Sequence, residues 1–116
     1  MRIVIAAVAL ALGAATAFAA DPAGRYAVEG TNPGNASRYT GTVQVERTGQ
    51  TFRVVWTVGT ARYVGTGIGS REFLAVTYGT GRTNGIALYA ADGGNWKGLW
   101  TNAGGRDLGS EIWKRE

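Results

Sequence analysis

Polar and apolar residues alternate with a period of two over much of the chain. From residue 39 to residue 45, Tyr39, Gly41, Val43 and Val45 share one face, while Thr40, Thr42 and Gln44 share the other. Thr48-Gly49-Gln50 interrupts the pattern, which resumes with Phe52, Val54, Trp56 and Val58 in phase. Two such runs around a short glycine turn predict a hairpin with one apolar side. The same rhythm predicts strands at 62–68, 72–78, 86–90 and 96–101, separated by Gly59-Thr60, Gly69-Ser70, the loop 79–85 and the turn Asp92-Gly93-Gly94. An opening strand at 25–29 and a last one at 107–114 bring the count to eight. Nineteen glycines, with abundant Thr, Val and Tyr, argue against helix.

Eight short strands in sequential hairpins leave two unpaired edges unless the sheet closes on itself. The expected fold is therefore all-β, an eight-stranded antiparallel up-and-down barrel, with a two-sheet β-sandwich as the alternative. The outward faces carry Thr, Gln, Glu and Arg in place of a lipid-compatible band, which argues against a membrane barrel.

Aromatic-x-Gly occurs three times, as Tyr39-Thr40-Gly41, Tyr63-Val64-Gly65 and Trp96-Lys97-Gly98. Each ring is answered by another near the end of the following strand: Tyr39 by Trp56, Tyr63 by Tyr78, Trp96 by Trp113. A hairpin folds ring back toward ring, or ring toward glycine, and a missing Cβ lets the strand bend or a ring lie over the backbone. The repeat is a hairpin module suited to a curved sheet. The same rings are core candidates and ligand-pocket candidates: Tyr39, Trp56, Tyr63, Tyr78, Trp96 and Trp100, joined by Glu111, which falls in phase with Gly109 and Trp113.

Met1-Arg2, the apolar run 3–13 and Ala17-Phe18-Ala19 have the three-part layout of a secretory signal. Residues 1–20 are read as that signal and 21–116 as a single β-barrel domain, with no transmembrane segment expected in the mature chain. The Ala-rich leader points to a bacterial protein, periplasmic or secreted. Such small exported domains often carry disulfides, yet cysteine is absent, so stability must come from packing and a closed hydrogen-bond ladder; four Trp, five Tyr and three Phe suit that need. The net charge of +4 is too weak to demand a polyanionic partner, and no polybasic tract occurs. No nucleic-acid partner is expected, because stacking rings would have to stand beside the arginines on the surface.

Without His or Cys there is no Ser-His or Cys-His nucleophile and no ordinary zinc site, and the chain is expected to be non-enzymatic, with no metal and no cofactor. Two carboxylates are placed inward by phase, Glu72 and Glu111; either would orient a ligand or pair with Asp92 or Asp107 in acid/base work, while a strand-end or structural role is the plainer reading. Arg-Tyr recurs at Arg25-Tyr26, Arg38-Tyr39 and Arg62-Tyr63. Inward tyrosines put all three arginines outside, as a candidate surface patch for an anionic partner or simply as a solvated wall.

Gly24-Arg25-Tyr26 at the opening strand and Lys114-Arg115 at the last resemble the Gly-x-Trp and basic closure of calycins, the superfamily of lipocalins and avidins, with Tyr26 in place of the usual Trp. The segments YTGTVQV, FRVVW, YVGTGI, LAVTYG, GLW and LGSEIW resemble small secreted bacterial β-barrel proteins, mostly uncharacterised and sometimes labelled fibronectin-binding. These resemblances imply an exported barrel and supply no catalytic residue. The expected function is an envelope binding protein that takes a small apolar or aromatic ligand in the barrel mouth or lumen. The alternative is a surface-binding, adhesion-type or inhibitor protein that meets an envelope or host macromolecule through the outer arginines.

Overall fold

The structure, a computed structural model, describes residues 21–116, so the leader assigned to 1–20 lies outside the described residues. Eight strands follow in order: β1 (Gly24–Thr31), β2 (Arg38–Thr48), β3 (Thr51–Val58), β4 (Ala61–Gly69), β5 (Phe73–Gly79), β6 (Asn84–Asp92), β7 (Asn95–Asn102) and β8 (Gly109–Arg115). Each pairs antiparallel with the next, and β8 returns to β1, closing an up-and-down barrel. The sandwich alternative is thereby excluded. No helix of the described residues is long and apolar enough to cross a membrane.

Turn chemistry sets the hairpins. Gly93 and Gly94 both hold positive φ (60° and 94°) between the paired Asp92 and Asn95, a conformation that only a two-residue turn of glycine-like residues adopts without cost. Several strands run one to three residues past their expected bounds, β1, β2 and β6 among them, and two begin later than expected. The strand predicted from residue 72 begins at Phe73, because the Ser70 amide donates to the Phe73 carbonyl and closes a tight turn first. The strand predicted from residue 107 begins at Gly109, because Thr101 Oγ1 donates to the Asp107 carbonyl and holds that segment in the loop.

Inside, large rings face glycines. In register, Tyr39 opposes Gly30, Tyr78 opposes Gly65 and Gly85, Tyr89 opposes Gly98, and Trp100 opposes Gly109. A Cβ at Gly30, Gly85 or Gly98 would run into the ring facing it. Glycine therefore makes room for more aromatic volume than eight strands otherwise enclose. The core comprises Tyr26, Val28, Val43, Val45, Phe52, Val54, Trp56, Leu74, Val76, Ala87, Tyr89, Trp96 and Trp113. Each large ring among them removes about 150–250 Å² from water, worth roughly 4–6 kcal/mol before ordering costs at about 25 cal/mol per Å².

The two ends differ. At one end Tyr26, Trp96 and Arg115 form a plug. The Tyr26 hydroxyl donates to the Pro22 carbonyl (2.6 Å) and accepts from Trp96 Nε1 (3.2 Å) and Arg115 Nη2 (2.7 Å). Arg115 also donates to the carbonyls of Gly94, Ala23 and Asp21, drawing the segment before β1 across the opening. The other end, where β1, β3, β5 and β7 finish, is open.

The outer wall divides into two halves. Around β1–β3 it is polar, as expected. Across β4–β8 it carries Ile68, Phe73, Ile86, Leu88, Leu99 and Ile112, each between 45% and 63% exposed, with Leu88 and Leu99 directly opposed. The expectation of a polar exterior thus holds for half of the barrel. Along β6 and β7, where Ile86, Leu88 and Leu99 face outward and Ala87, Tyr89, Gly98 and Trp100 inward, alternation is not of polarity, while Arg62, Thr66, Lys97 and Lys114 keep polar positions elsewhere on this half of the wall.

Candidate functional site

Above the plug lies a cavity of about 310 Å³, open at the far end and lined by Asn32, Tyr39, Trp56, Val58, Tyr63, Tyr78, Thr83, Tyr89, Trp100, Asn102 and Glu111. Six of these are among the seven residues that phase and aromatic spacing single out. The seventh, Trp96, lies away from the cavity: it is 1% exposed and held in the plug by Tyr26. Phase told the face of each ring correctly but not its height along the barrel axis.

Glu111, from β8, organises the floor. It is the one buried charged side chain among the described residues, at 6% exposure. Its Oε1 accepts from Trp113 Nε1 (2.8 Å), Tyr89 Oη (2.8 Å) and Trp56 Nε1 (3.1 Å), and its Oε2 accepts from Tyr39 Oη (2.5 Å). Indole N–H groups can only donate, and the short Tyr39 contact has the length of a charge-assisted bond. Four strands, β2, β3, β6 and β8, thus converge on one carboxylate. Such convergence satisfies the oxygens with hydrogen bonds, while no cationic side chain among the lining residues pairs the charge.

The tyrosines answer to that charge. Burial, reinforced by the neighbouring Glu111, pushes the hydroxyls of Tyr39 and Tyr89 well above the usual tyrosine range. Tyr78 is pushed up to about 12, again by burial first and Glu111 second. All three remain neutral hydrogen-bond donors across the ordinary pH range. Nearer the mouth, Tyr78 bonds Asn102 Oδ1 (3.1 Å) and the Thr101 carbonyl (3.3 Å).

Near-perpendicular ring pairs run around the lumen: Tyr63–Tyr78 at 6.4 Å between centroids, Trp56–Tyr78 at 5.8 Å, Tyr78–Trp100 at 6.1 Å and Tyr39–Trp100 at 6.2 Å. Edge-to-face geometry of this kind locks each ring against the next. Of the three pairings expected from the repeat, Tyr63 meets Tyr78 and Trp96 opposes Trp113 across β7–β8. Tyr39 and Trp56 meet instead through Glu111. Trp100 Nε1 is the buried side-chain polar atom without a partner among the described residues.

The remaining candidates do not join the lumen. Glu72, expected inward, is exposed in the turn before β5. Asp92, at the plug end, and Asp107, in the loop before β8, are exposed, and neither contributes to the lining. Arg25, Arg38 and Arg62 all point outward, as their phase predicts, but do not converge. Arg38 opposes Thr31, six residues along β1 from Arg25, which is about 20 Å at ~3.4 Å per residue. Arg25 is also paired with Glu116 at 2.9 Å. Tyr89 was not among the expected site residues; its position opposite the inward Gly98 and two after the inward Ala87 carries the phase that would have found it.

No protein-family profile and no curated protein sequence matches the chain. Among solved structures it is similar to a redesigned β-barrel, b11L5F_LGL, at TM-score 0.65 and 16% identity, covering 81% of this chain and 91% of that one. A second redesigned barrel, mFAP1, solved bound to DFHBI, matches at TM-score 0.63 and 14% identity over 79% and 94%. A fluorescence-activating β-barrel of de novo design matches at TM-score 0.55 and 14% identity over 81% and 93%. These likenesses define the class of fold, a closed antiparallel β-barrel.

Proposed function

We propose that the protein is an exported, non-enzymatic binding protein that holds a small molecule in the open end of its barrel. The observation that carries this reading is the lumen itself: about 310 Å³, walled by aromatic rings, with a single buried carboxylate at its floor. Pockets of roughly 300–1,000 Å³ with apolar walls and few polar groups are the usual form of a small-molecule site. The likeness in fold to a redesigned barrel solved bound to DFHBI supports a small-molecule role. Export and an envelope location are supported by the charged, apolar and small-residue succession of 1–20 and by the resemblance to small secreted bacterial barrels. A binding role in preference to a catalytic one is supported by the chemistry at hand: the chain has no histidine, and Glu111 is the single carboxylate lining the lumen.

The test is titration of the purified protein with DFHBI and related planar dyes, read by dye emission and by tryptophan quenching, since Trp56 and Trp100 both line the cavity. One dye is expected to bind per chain. Val58→Trp, which fills the mouth, is expected to abolish binding while leaving the fold intact by circular dichroism. Unchanged binding to Val58→Trp, or no binding of any dye or other small aromatic probe to the native chain, would overturn the reading.

A further inference from the structure

Building on the lumenal binding role, we infer that the natural ligand of the cavity is an organic cation, an alkylammonium or amidine nitrogen on an apolar body, seated among the rings with Glu111 as its counter-ion. The charge count of the cavity makes the case. Glu111 is the one formally charged side chain lining it, and neither lysine nor arginine is among the lining residues. Its four hydrogen bonds come from two indoles and two phenols, so they satisfy the oxygens without supplying a positive charge. The phenols stay neutral donors, because burial and the carboxylate both disfavour their ionisation.

Three bonds fall on Oε1 and one on Oε2, so the oxygen on the Tyr39 side keeps acceptor capacity that a ligand N–H or the field of a quaternary nitrogen meets. Tyr39, Trp56, Tyr63, Tyr78 and Trp100 provide the rest. Aromatic faces carry negative quadrupole potential, and a ring of them is the established physical solution for desolvating an ammonium group. A neutral ligand uses the apolar area of this lumen but leaves its charge unanswered. An anion is opposed by it.

The outer rim works the other way. Arg38, Arg62, Arg82 and Arg106 are exposed at the open end, so selection for a cation is made inside the lumen and not by long-range steering.

A matched trio of probes decides the matter: phenyltrimethylammonium, its uncharged isostere tert-butylbenzene, and 4-tert-butylbenzoate, each followed by tryptophan fluorescence and calorimetry on the native protein. The cation is expected to bind at least about tenfold tighter than the isostere, with the benzoate weakest. Glu111→Gln is expected to erase that preference while the isostere still binds. Tyr63→Leu, which removes one ring and, among the described residues, no side-chain hydrogen bond, serves if the Gln variant fails to fold, and is expected to weaken the cation more than the isostere. Equal or tighter binding of the isostere overturns the cation assignment and leaves lumenal binding standing. Binding of none of the three, together with no dye binding, overturns both.

Discussion

Replacing Glu111 by leucine isolates what the buried carboxylate does for the fold. Leucine occupies comparable space, so water does not simply take the place of the oxygens, but it offers no acceptor. Tyr39 sits near the mouth and recovers a water partner. Trp56 Nε1, Trp113 Nε1 and Tyr89 Oη belong to side chains no more than 5% exposed and lose their acceptor. A hydrogen bond to a charged group contributes about 1.5–3 kcal/mol net of solvent exchange. Three of them at the lower end, since the rings relax together, come to about 4–5 kcal/mol. That is a large part of the roughly 5–15 kcal/mol that separates a domain's folded and unfolded states. Glu111→Gln keeps a carbonyl acceptor and loses the charge, and is expected to cost about 1–2 kcal/mol. Urea denaturation followed by tryptophan fluorescence reads both. With a slope of about 1–1.5 kcal/mol per molar urea for a domain this size, the leucine variant's midpoint falls by about 3–5 M and the glutamine variant's by about 1–2 M. A leucine variant as stable as the native chain, or more stable than the glutamine one, refutes the claim that these donors depend on Glu111, since it would mean that they find other partners or that desolvating the charge outweighs its bonds.

Three further outcomes follow from the same geometry. Gly30→Ala places a Cβ into the Tyr39 ring; a destabilisation of about 1–3 kcal/mol is expected, with dye or cation affinity in the lumen reduced as Tyr39 leaves Glu111, checked by denaturation and titration on one sample. Arg115→Met keeps the apolar stem but leaves the Asp21, Ala23 and Gly94 carbonyls without their donor; a loss of about 2–3 kcal/mol is expected, with amide exchange accelerating first around residues 21–26 and 94–96. Stability also responds to alkali. The tyrosines of the unfolded chain ionise near their ordinary value of 10.0, whereas Tyr78 in the barrel is pushed to about 12 and Tyr39 and Tyr89 are raised as well. Above pH 10 the unfolded chain therefore holds fewer protons than the native one, so stability is whole below that pH and falls as pH climbs toward 12. Urea midpoints that stay level between about pH 9 and about pH 11 contradict this.

Strand number, closure and the inward set were legible because a pleated strand shows its face every second residue, and Tyr39, Val43, Trp56, Tyr78 and Trp113 keep that beat. Glu111 was legible for the same reason, being in phase with Gly109 and Trp113. Height along the barrel axis was not, because it depends on the accumulated stagger of all eight strands. That is why Trp96 belongs to the plug although it has the same phase as Trp100, and why Arg25 and Arg38 stand apart despite the shared Arg-Tyr motif. The hub at Glu111 was hidden for a related reason: its partners on β2, β3 and β6 are separated from it by 22 to 72 positions, and no local pattern links an indole to a carboxylate at such range. The apolar outer wall escaped notice because Leu88 and Leu99 alternate with the inward Ala87, Tyr89, Gly98 and Trp100, a pattern in which neither face is polar.

The seam between β1 and β8 has an implication for how the molecule comes into being. The first and last strands must zip together before the cylinder exists, and the carboxylate that gathers the indoles and phenols arrives on that final strand. Until then the donors from the earlier hairpins have nothing to gather around. The floor of the lumen therefore exists only once that seam is closed, and a nascent or clipped chain lacking those last residues has neither the closed cylinder nor Glu111 at its floor.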